Sequence, residues 1–299
     1  MESIFKGSGV ALVTPFNKDG EVDYKKLKEL IDFQIENKTD AIIICGTTGE
    51  SATLSESEHK KVIEECMSHV RGRIPVIAGT GSNNTRTAIE LSKEAEGMAV
   101  DGLLVVTPYY NKPTQEGLFE HYTAIAKETN IPIILYNVPS RTSVNLLPET
   151  VKKIVEENPN VIAIKEASGN LEQTEALKEI KKRLNNRTFD IYSGNDDQTV
   201  DILELGGIGV ISVLANILPE ETHNMVINYL NGNKEQSRNE QAKLLSLIKA
   251  LFSKTNPIPV KKALELMGKI DGTLRLPLTE LPEEQTKQLK IEMKRNGII

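Results

Sequence analysis

Short, wholly apolar runs recur along the chain and are separated by longer stretches in which apolar residues return every three or four positions. The apolar runs are Val10–Val13, Ala41–Cys45, Val76–Ala78, Leu103–Val106, Ile133–Leu135, Val161–Ile164, Phe189–Tyr192 and Val210–Val213. Most of them are continuous rather than alternating, which is typical of strands that are buried on both faces of a parallel sheet. The pattern therefore predicts eight parallel strands that are covered by helices.

Helical periodicity fills the segments between these runs, as in Tyr24–Glu36, Glu56–Val70, Thr85–Ala95 and Leu146–Glu157. Three of these segments follow a capping residue, namely Asp23, Ser55 or Asn84. Successive strands begin roughly 20–34 residues apart, which is about one strand–helix unit. Eight such units predict a closed (β/α)8 barrel. An open doubly wound sheet is the alternative, but no G-x-G-x-x-G sequence opens a helix after a strand.

The alternation stops near Asn233, and three further helices are predicted at Glu235–Phe252, Pro259–Met267 and Glu283–Arg295. We therefore expect a catalytic barrel over residues 1–232 and a C-terminal helical domain over residues 233–299.

The composition excludes several classes of function. The net charge of -6, the absence of Trp and an aromatic content of 4% argue against nucleic-acid binding. Cys45 and Cys66 match no metal-binding spacing and are expected to be reduced thiols. The N-terminal sequence does not resemble a signal peptide and no apolar run is long enough to cross a membrane, so a cytoplasmic location is expected.

Lys165 follows the sixth apolar run and is the first candidate for chemistry. In a barrel of this kind, the carboxyl ends of the strands form the active site. Strand alternation places Lys165 on the inner face with Val161 and Ala163, and Ile162 and Ile164 on the outer face. An unpaired buried ammonium is costly, so the free amine that attacks a ketone is favoured. The alternative is a structural ion pair with a carboxylate such as Glu50 or Asp196.

Other strand ends add possible partners for this lysine. Tyr136 ends the preceding strand, where its phenol can relay protons or simply pack in the core. The Gly46–Gly49 loop offers backbone N–H groups at the start of a helix for a small carboxylate. Arg141 can bind a second carboxylate or lie exposed at the surface. The four histidines are scattered and show no metal-ligand spacing, so no metal site is expected.

Three segments together resemble the dihydrodipicolinate synthase/N-acetylneuraminate lyase family of class I aldolases. They are Gly46-Thr47-Thr48-Gly49-Glu50, Tyr136-Asn137-Val138-Pro139-Ser140-Arg141-Thr142 and Ile164-Lys165-Glu166-Ala167. The resemblance covers essentially the whole chain. It implies that pyruvate forms an imine on Lys165 and then condenses with L-aspartate 4-semialdehyde, a step in diaminopimelate and lysine biosynthesis. No cofactor is implied.

The resemblance also implies roles for individual residues. Tyr136 would relay protons, and Thr47 would link it to Tyr110 of a neighbouring subunit. The implied assembly is a homotetramer built as a dimer of dimers.

Further positions of the family correspond to substrate-binding residues. Thr48 and the backbone amides of Thr47 and Thr48 would hold the pyruvate carboxylate. Arg141 would bind the carboxylate of the aldehyde substrate, and backbone groups of Gly194 and Ile211 would shape the pocket near Lys165.

Two alternatives remain at this stage. Another pyruvate-dependent aldolase, such as an N-acetylneuraminate lyase or a keto-sugar-acid aldolase, would use the same lysine. The Pro139-Ser140-Arg141 segment favours the synthase. A non-catalytic binding barrel would not need Lys165, Tyr136 and Tyr110 together.

Inhibition by lysine is predicted to be weak or absent. In some relatives lysine binds between subunits, and the corresponding residues here are Ser51, Ala52, Glu56, His59, Asn83, Thr87 and Tyr109. Glu56 stands where sensitive enzymes often have histidine, and Thr87 where they have glutamate, so a partner for the lysine ammonium is missing. Activity assays of the purified enzyme with added lysine test this prediction, and inhibition at micromolar lysine would contradict it.

Overall fold

The eight apolar runs form the strands of one closed sheet in the computed structural model, which describes residues 1–184 and 187–299. The strands are β1 (Gly7–Ala11), β2 (Ala41–Ile44), β3 (Val76–Gly79), β4 (Gly102–Val106), β5 (Ile133–Asn137), β6 (Val161–Glu166), β7 (Asp190–Ser193) and β8 (Gly209–Ser212). Every neighbouring pair is parallel, and β8 pairs with β1 to close the barrel. The predicted (β/α)8 barrel is confirmed.

Helices connect the strands and continue beyond the last one. They are α1 (Tyr24–Glu36), α2 (Glu56–Val70), α3 (Thr85–Gly97), α4 (Gln115–Lys127), α5 (Pro139–Thr142), α6 (Pro148–Glu157), α7 (Leu171–Arg183), α8 (Thr199–Glu204), α9 (Pro219–Leu230), α10 (Lys234–Leu251), α11 (Ile258–Leu266) and α12 (Glu283–Arg295). The side chains of Asp23, Ser55 and Asn84 accept hydrogen bonds from the first turns of α1, α2 and α3, as predicted. Most predicted boundaries differ from the observed ones by only a few residues.

Side chains of the barrel interior close its amino-terminal end. The rings of Phe5 and Tyr192 stack with centroids 4.5 Å apart, and the Tyr192 hydroxyl donates to the Phe5 carbonyl over 2.8 Å. Ile43 and Ile134 pack in the same interior cluster. This end of the barrel is therefore a packed core, and the chemistry lies at the opposite end.

A bulge near the start of β6 changes which side chains point into the barrel there. The register between β5 and β6 shifts between Val161 and Ala163, which makes Ile162 the extra residue. Ile162 consequently packs inside the barrel and Val161 packs against the helices, so the orientations predicted for these two residues were wrong. From Ala163 onward the side chains alternate as predicted, and Lys165 points into the barrel.

The C-terminal helices share the core that lies between the strands and the helices of the barrel. Leu247, Val260, Leu264 and Leu289 belong to the same continuous apolar cluster as the outward-facing strand residues. The division at residue 233 stays a prediction. No helix in the described part of the chain is long and apolar enough to span a membrane.

Candidate active site

Lys165 occupies the carboxyl end of β6 and is only 5% exposed. The register of β5 and β6 places it beside Tyr136, and its Nζ lies 4.4 Å from the centroid of the tyrosine ring. No carboxylate within residues 1–184 and 187–299 lies within ion-pair distance of this amine. A buried lysine beside a phenol and without a carboxylate partner is placed to act as a nucleophile.

The two carboxylates considered as structural partners of Lys165 are engaged elsewhere. Glu50 forms an ion pair with Lys261 at 2.6 Å. Asp196 accepts hydrogen bonds from the Ser212 hydroxyl at 2.5 Å and from two backbone amides. Burial raises the pKa of the Asp196 carboxyl, while the Ser212 hydrogen bond and the positive charge of Lys165 act in the opposite direction. Neither carboxylate lies within ion-pair distance of Lys165, so the structural ion pair considered as the alternative is not formed with them.

Because Gly194 has no side chain, the Lys165 side chain can occupy the space beside it. A Cβ atom at this position would lie 3.1 Å from Cε of Lys165 and 2.6 Å from Cβ of Ala167. The Gly194 amide donates to the Glu166 carbonyl over 2.7 Å, which fixes this close approach. Ile211 is fully buried in the same interior cluster as Tyr136. Gly194 thus lies against the Lys165 side chain, and Ile211 belongs to the barrel interior.

The loop after β2 presents two free amide groups. The Gly49 amide donates to the Gly46 carbonyl and the Glu50 amide to the Thr47 carbonyl, each over 3.1 Å. The amides of Thr47 and Thr48 have no protein acceptor among the described residues. These two N–H groups can bind a carboxylate, as predicted for this loop.

The carboxylate of Glu50 fixes the end of this loop. A 3-10 helix at Ser51–Thr53 follows the loop, and α2 begins only at Glu56. Lys261 is fully buried and donates to both Glu50 and the Thr14 carbonyl, at 2.6 and 3.0 Å. The Arg275 amide donates to the other oxygen of Glu50 over 3.2 Å. Two residues of the C-terminal extension (residues 233–299) therefore hold the loop that contains the free amides.

Arg141 and Thr48 are joined through another residue of the extension, Asn256. Arg141 donates from Nη2 to the Asn256 backbone carbonyl over 3.0 Å. Asn256 donates from Nδ2 to Oγ1 of Thr48 over 2.9 Å. The Thr48 hydroxyl hydrogen is consequently free to donate to a ligand. Sequence reasoning missed Asn256, Lys261 and Arg275, because no local pattern links the extension to strand ends more than 100 positions away.

A cavity of about 460 Å3 extends from this site. The predicted residues that line it are Thr47, Tyr136, Arg141, Ser51, Ala52, His59, Thr87 and Tyr109. Three of the predicted catalytic and substrate-binding residues thus border one continuous space with five of the predicted regulatory residues, whereas Lys165, Thr48, Gly194 and Ile211 are not among its lining residues. Asn83 donates to the Tyr109 carbonyl over 3.1 Å at its edge, whereas Glu56 is exposed and does not line it.

Tyr110 does not reach the site within its own chain. Its side chain is 89% exposed and its backbone has the left-handed φ of 72°, which is uncommon for a bulky residue. Asn111 donates to the Asn83 carbonyl over 2.9 Å and helps to hold this loop. In the described residues, no hydrogen bond joins Thr47 to Tyr136 or Tyr110. The chain therefore brings Lys165, Tyr136 and Thr47 together and leaves Tyr110 pointing outward.

The other reactive groups near the cavity are deeply buried. His59 bonds through Nε2 to the Gly79 carbonyl at 2.9 Å, and burial lowers the pKa of its ring. Cys45 and Cys66 are free thiols, and burial raises the pKa of Cys66 to about 12. The described residues contain no cluster of three or more side chains that could hold a metal ion.

Comparisons with known proteins give a consistent result. The model of the dihydrodipicolinate synthetase family matches residues 4–296. The chain is 57% identical over 297 residues to the 4-hydroxy-tetrahydrodipicolinate synthase of Clostridium tetani, with 99% of each chain covered. The crystal structure of dihydrodipicolinate synthase from Thermotoga maritima matches with a TM-score of 0.96 and 45% identity, over 99% of this chain and 100% of that one.

A third relative was crystallised with a small molecule. It is the dihydrodipicolinate synthase from Acinetobacter baumannii, described as chloride inhibited and in complex with pyruvate. It matches with a TM-score of 0.94 and 45% identity, over 99% of this chain and 100% of that one.

The buried ion pair of Lys261 and Glu50 generates a stability prediction. The K261M variant should lose about 3–5 kcal/mol of unfolding free energy, because it leaves a buried carboxylate without its cation. The double variant K261M/E50Q should recover much of this loss. Urea unfolding measures both quantities.

The matched control is K38M, which removes a lysine from an ion pair whose side chains are 55% and 45% exposed. This control should lose no more than about 1 kcal/mol. A loss in K261M as small as that in K38M would contradict the structural importance of the buried pair.

Proposed function

The chain belongs to the dihydrodipicolinate synthetase family, and on this premise we propose that it condenses pyruvate with L-aspartate 4-semialdehyde to form 4-hydroxy-tetrahydrodipicolinate. The observation that carries the proposal is Lys165, a buried amine beside Tyr136 with no carboxylate partner among the described residues. An amine in this environment is suited to forming an imine with a ketone.

The reaction begins when the Lys165 amine attacks the C2 ketone of pyruvate and water leaves, which gives an imine. Loss of a proton from the methyl group, C3, converts the imine to an enamine. The enamine carbon then bonds to the aldehyde carbon of the second substrate, and the aldehyde oxygen takes up a proton. Finally the amine of the second substrate attacks C2 and passes a proton to Nζ. The bond from C2 to Nζ then breaks, which closes the ring and releases Lys165 as the free amine.

Tyr136 is the group placed to move protons during these steps. Its ring lies against Nζ of Lys165, and its side chain borders the cavity through which substrates arrive. We assign it the exchange of protons with the carbinolamine that precedes the imine. Thr47 borders the same cavity, and we assign it the link between Tyr136 and a further acid–base group.

Two carboxylate subsites orient the substrates. The free amides of Thr47 and Thr48, together with the Thr48 hydroxyl, bind the carboxylate of pyruvate. Arg141, which is held by its bond to the extension, binds the carboxylate of the aldehyde. Gly194 and Ile211 shape the space around the imine. No cofactor is needed, since the lysine itself provides the electron sink.

The position of Tyr110 supports a catalytic oligomer. Its side chain is exposed and does not enter the cavity of its own chain, and its backbone has a left-handed conformation. We propose that it completes the relay of a neighbouring subunit through that subunit's copy of Thr47. A dimer is the minimum assembly for this arrangement, and a homotetramer formed as a dimer of dimers is the full one.

The same reasoning extends to regulation and location. Ser51, His59 and Thr87 border one end of the cavity. Thr87 has no carboxylate to pair with the ammonium group of a bound lysine, so we propose that inhibition by lysine is weak or absent. Reduced Cys45 and Cys66 are in keeping with a cytoplasmic enzyme.

Chemical trapping tests the proposed function. Borohydride reduction in the presence of pyruvate should add the mass of a reduced pyruvate adduct to the peptide that contains Lys165, and K165A should show no such adduct. Mass spectrometry detects the difference. The purified enzyme should also consume pyruvate with L-aspartate 4-semialdehyde and should not cleave N-acetylneuraminate. An unmodified Lys165 peptide in the wild type would refute the imine mechanism.

Subunit complementation tests the role of Tyr110. The variants Y110F and K165A should each have strongly reduced activity. Their co-expression should restore part of it, because a Y110F subunit keeps Lys165 and receives Tyr110 from a K165A neighbour. Steady-state assays of the mixed oligomer measure the recovery.

The control is co-expression of Y136F with K165A. Both of these residues serve the site of their own chain, so no site in the mixture regains both, and activity should stay low. Equal recovery in the two mixtures would contradict a relay that crosses between subunits.

A further inference from the structure

Asn256 lies between the two carboxylate subsites and is bonded to both of them. Its Nδ2 donates to Thr48 over 2.9 Å, and its backbone carbonyl accepts from Arg141 over 3.0 Å. The residue is 6% exposed and lines the cavity. No other residue among those described makes hydrogen bonds to both Thr48 and Arg141.

The remaining polar atom of this side chain has no hydrogen-bond partner in the described part of the chain. Oδ1 of Asn256 is buried and accepts no hydrogen bond from any described residue. An amide oxygen that is buried and unpaired is unfavourable, because it has lost its hydrogen bonds to water. Because Asn256 lines the cavity, an unpaired acceptor on this residue calls for a partner that arrives with a ligand.

The role of Thr48 fixes which way the amide faces. A Thr48 hydroxyl that donates its hydrogen to pyruvate can only accept from Asn256. Nδ2 must therefore face Thr48, and Oδ1 faces away from it. The unpaired atom is consequently an acceptor, which suits a cationic or N–H group of a ligand.

The chemistry of the proposed reaction supplies such a group at this place. In the cyclic product the ring nitrogen lies between the two carbons that carry the carboxylates. One carboxylate comes from pyruvate and belongs to the subsite at Thr48, and the other comes from the aldehyde and belongs to Arg141. A residue bonded to both subsites is therefore next to the nitrogen that joins them, which enters the reaction as the α-ammonium group of the aldehyde substrate.

We infer that Asn256 is a binding residue for the second substrate, and that its Oδ1 accepts a hydrogen bond from the α-ammonium group. This inference rests on the proposed function. The hydrogen bond holds the nitrogen between the two carboxylates, from where it reaches C2 of the imine once it has lost a proton. It also makes the site selective for an aldehyde that carries an α-amino group.

A pair of aldehydes separates recognition of the ammonium from general support of the site. Succinate semialdehyde has the carboxylate and the aldehyde of the natural substrate but no amino group. In N256L, the KM for L-aspartate 4-semialdehyde should rise by about tenfold or more, the effect of losing a hydrogen bond to a charged group. The inhibition constant of succinate semialdehyde should change less than about twofold, within the normal spread of such values.

N233L is the matched control, since Asn233 is exposed and its side chain makes no hydrogen bond among the described residues. It should leave both constants unchanged. If N256L weakens the binding of both aldehydes equally, Asn256 acts only by holding Thr48 and Arg141, and the inference is wrong. An unchanged KM for the amino-aldehyde would overturn it as well.

A second measurement uses only the wild-type enzyme, so that it stands even if N256L fails to fold. Piperidine-2,6-dicarboxylate carries a ring ammonium between two carboxylates, and cyclohexane-1,3-dicarboxylate has a CH2 group in its place. The piperidine should inhibit at least about tenfold more tightly. Equal inhibition would overturn the inference. Borohydride trapping of pyruvate on Lys165 is run alongside, and failure of the trapping would count against the proposed function rather than against Asn256.

Discussion

Closure of the sheet through the pairing of β8 with β1 is the constraint on which the site depends. Because all eight strands are parallel, closure brings their carboxyl ends to a single rim. The packed rings of Phe5 and Tyr192 fill the opposite end of the barrel, together with the other apolar side chains of the interior. Lys165 and Tyr136 meet as register neighbours of adjacent strands, although 29 positions separate them in the sequence.

Two buried lysines in this protein show how neighbours decide what an amine does. Lys261 and Lys165 both lie over aromatic rings, at 4.1 and 4.4 Å from the centroids of Phe16 and Tyr136. Lys261 also has a carboxylate partner in Glu50 and holds a loop in place. Burial lowers its pKa to about 8 even though Glu50 favours the charged form. Lys165 has no such partner among the described residues, which leaves its amine available for chemistry.

The C-terminal extension is part of the site as well as of the core. Asn256 and Lys261 connect it to the strand-end loops through bonds to Thr48, Arg141 and Glu50. The barrel therefore supplies Lys165 and Tyr136, while the extension holds the loops that are proposed to bind the carboxylates. The sequence pattern changes near residue 233, but the packing does not, since residues on both sides of that position belong to one apolar cluster.

The sequence alone determined the features that follow from local pattern. Apolar runs and helical periodicity were enough to predict the barrel, and strand alternation was enough to predict that Lys165 points into it. The caps at Asp23 and Ser55 were predictable because a capping residue stands directly before a helical segment. Only the tertiary structure decided the orientation of Val161, since a bulge depends on how the neighbouring strand pairs. It also decided the partners of Glu50 and the place of Asn256, because those contacts join residues more than 200 positions apart and no local pattern encodes them.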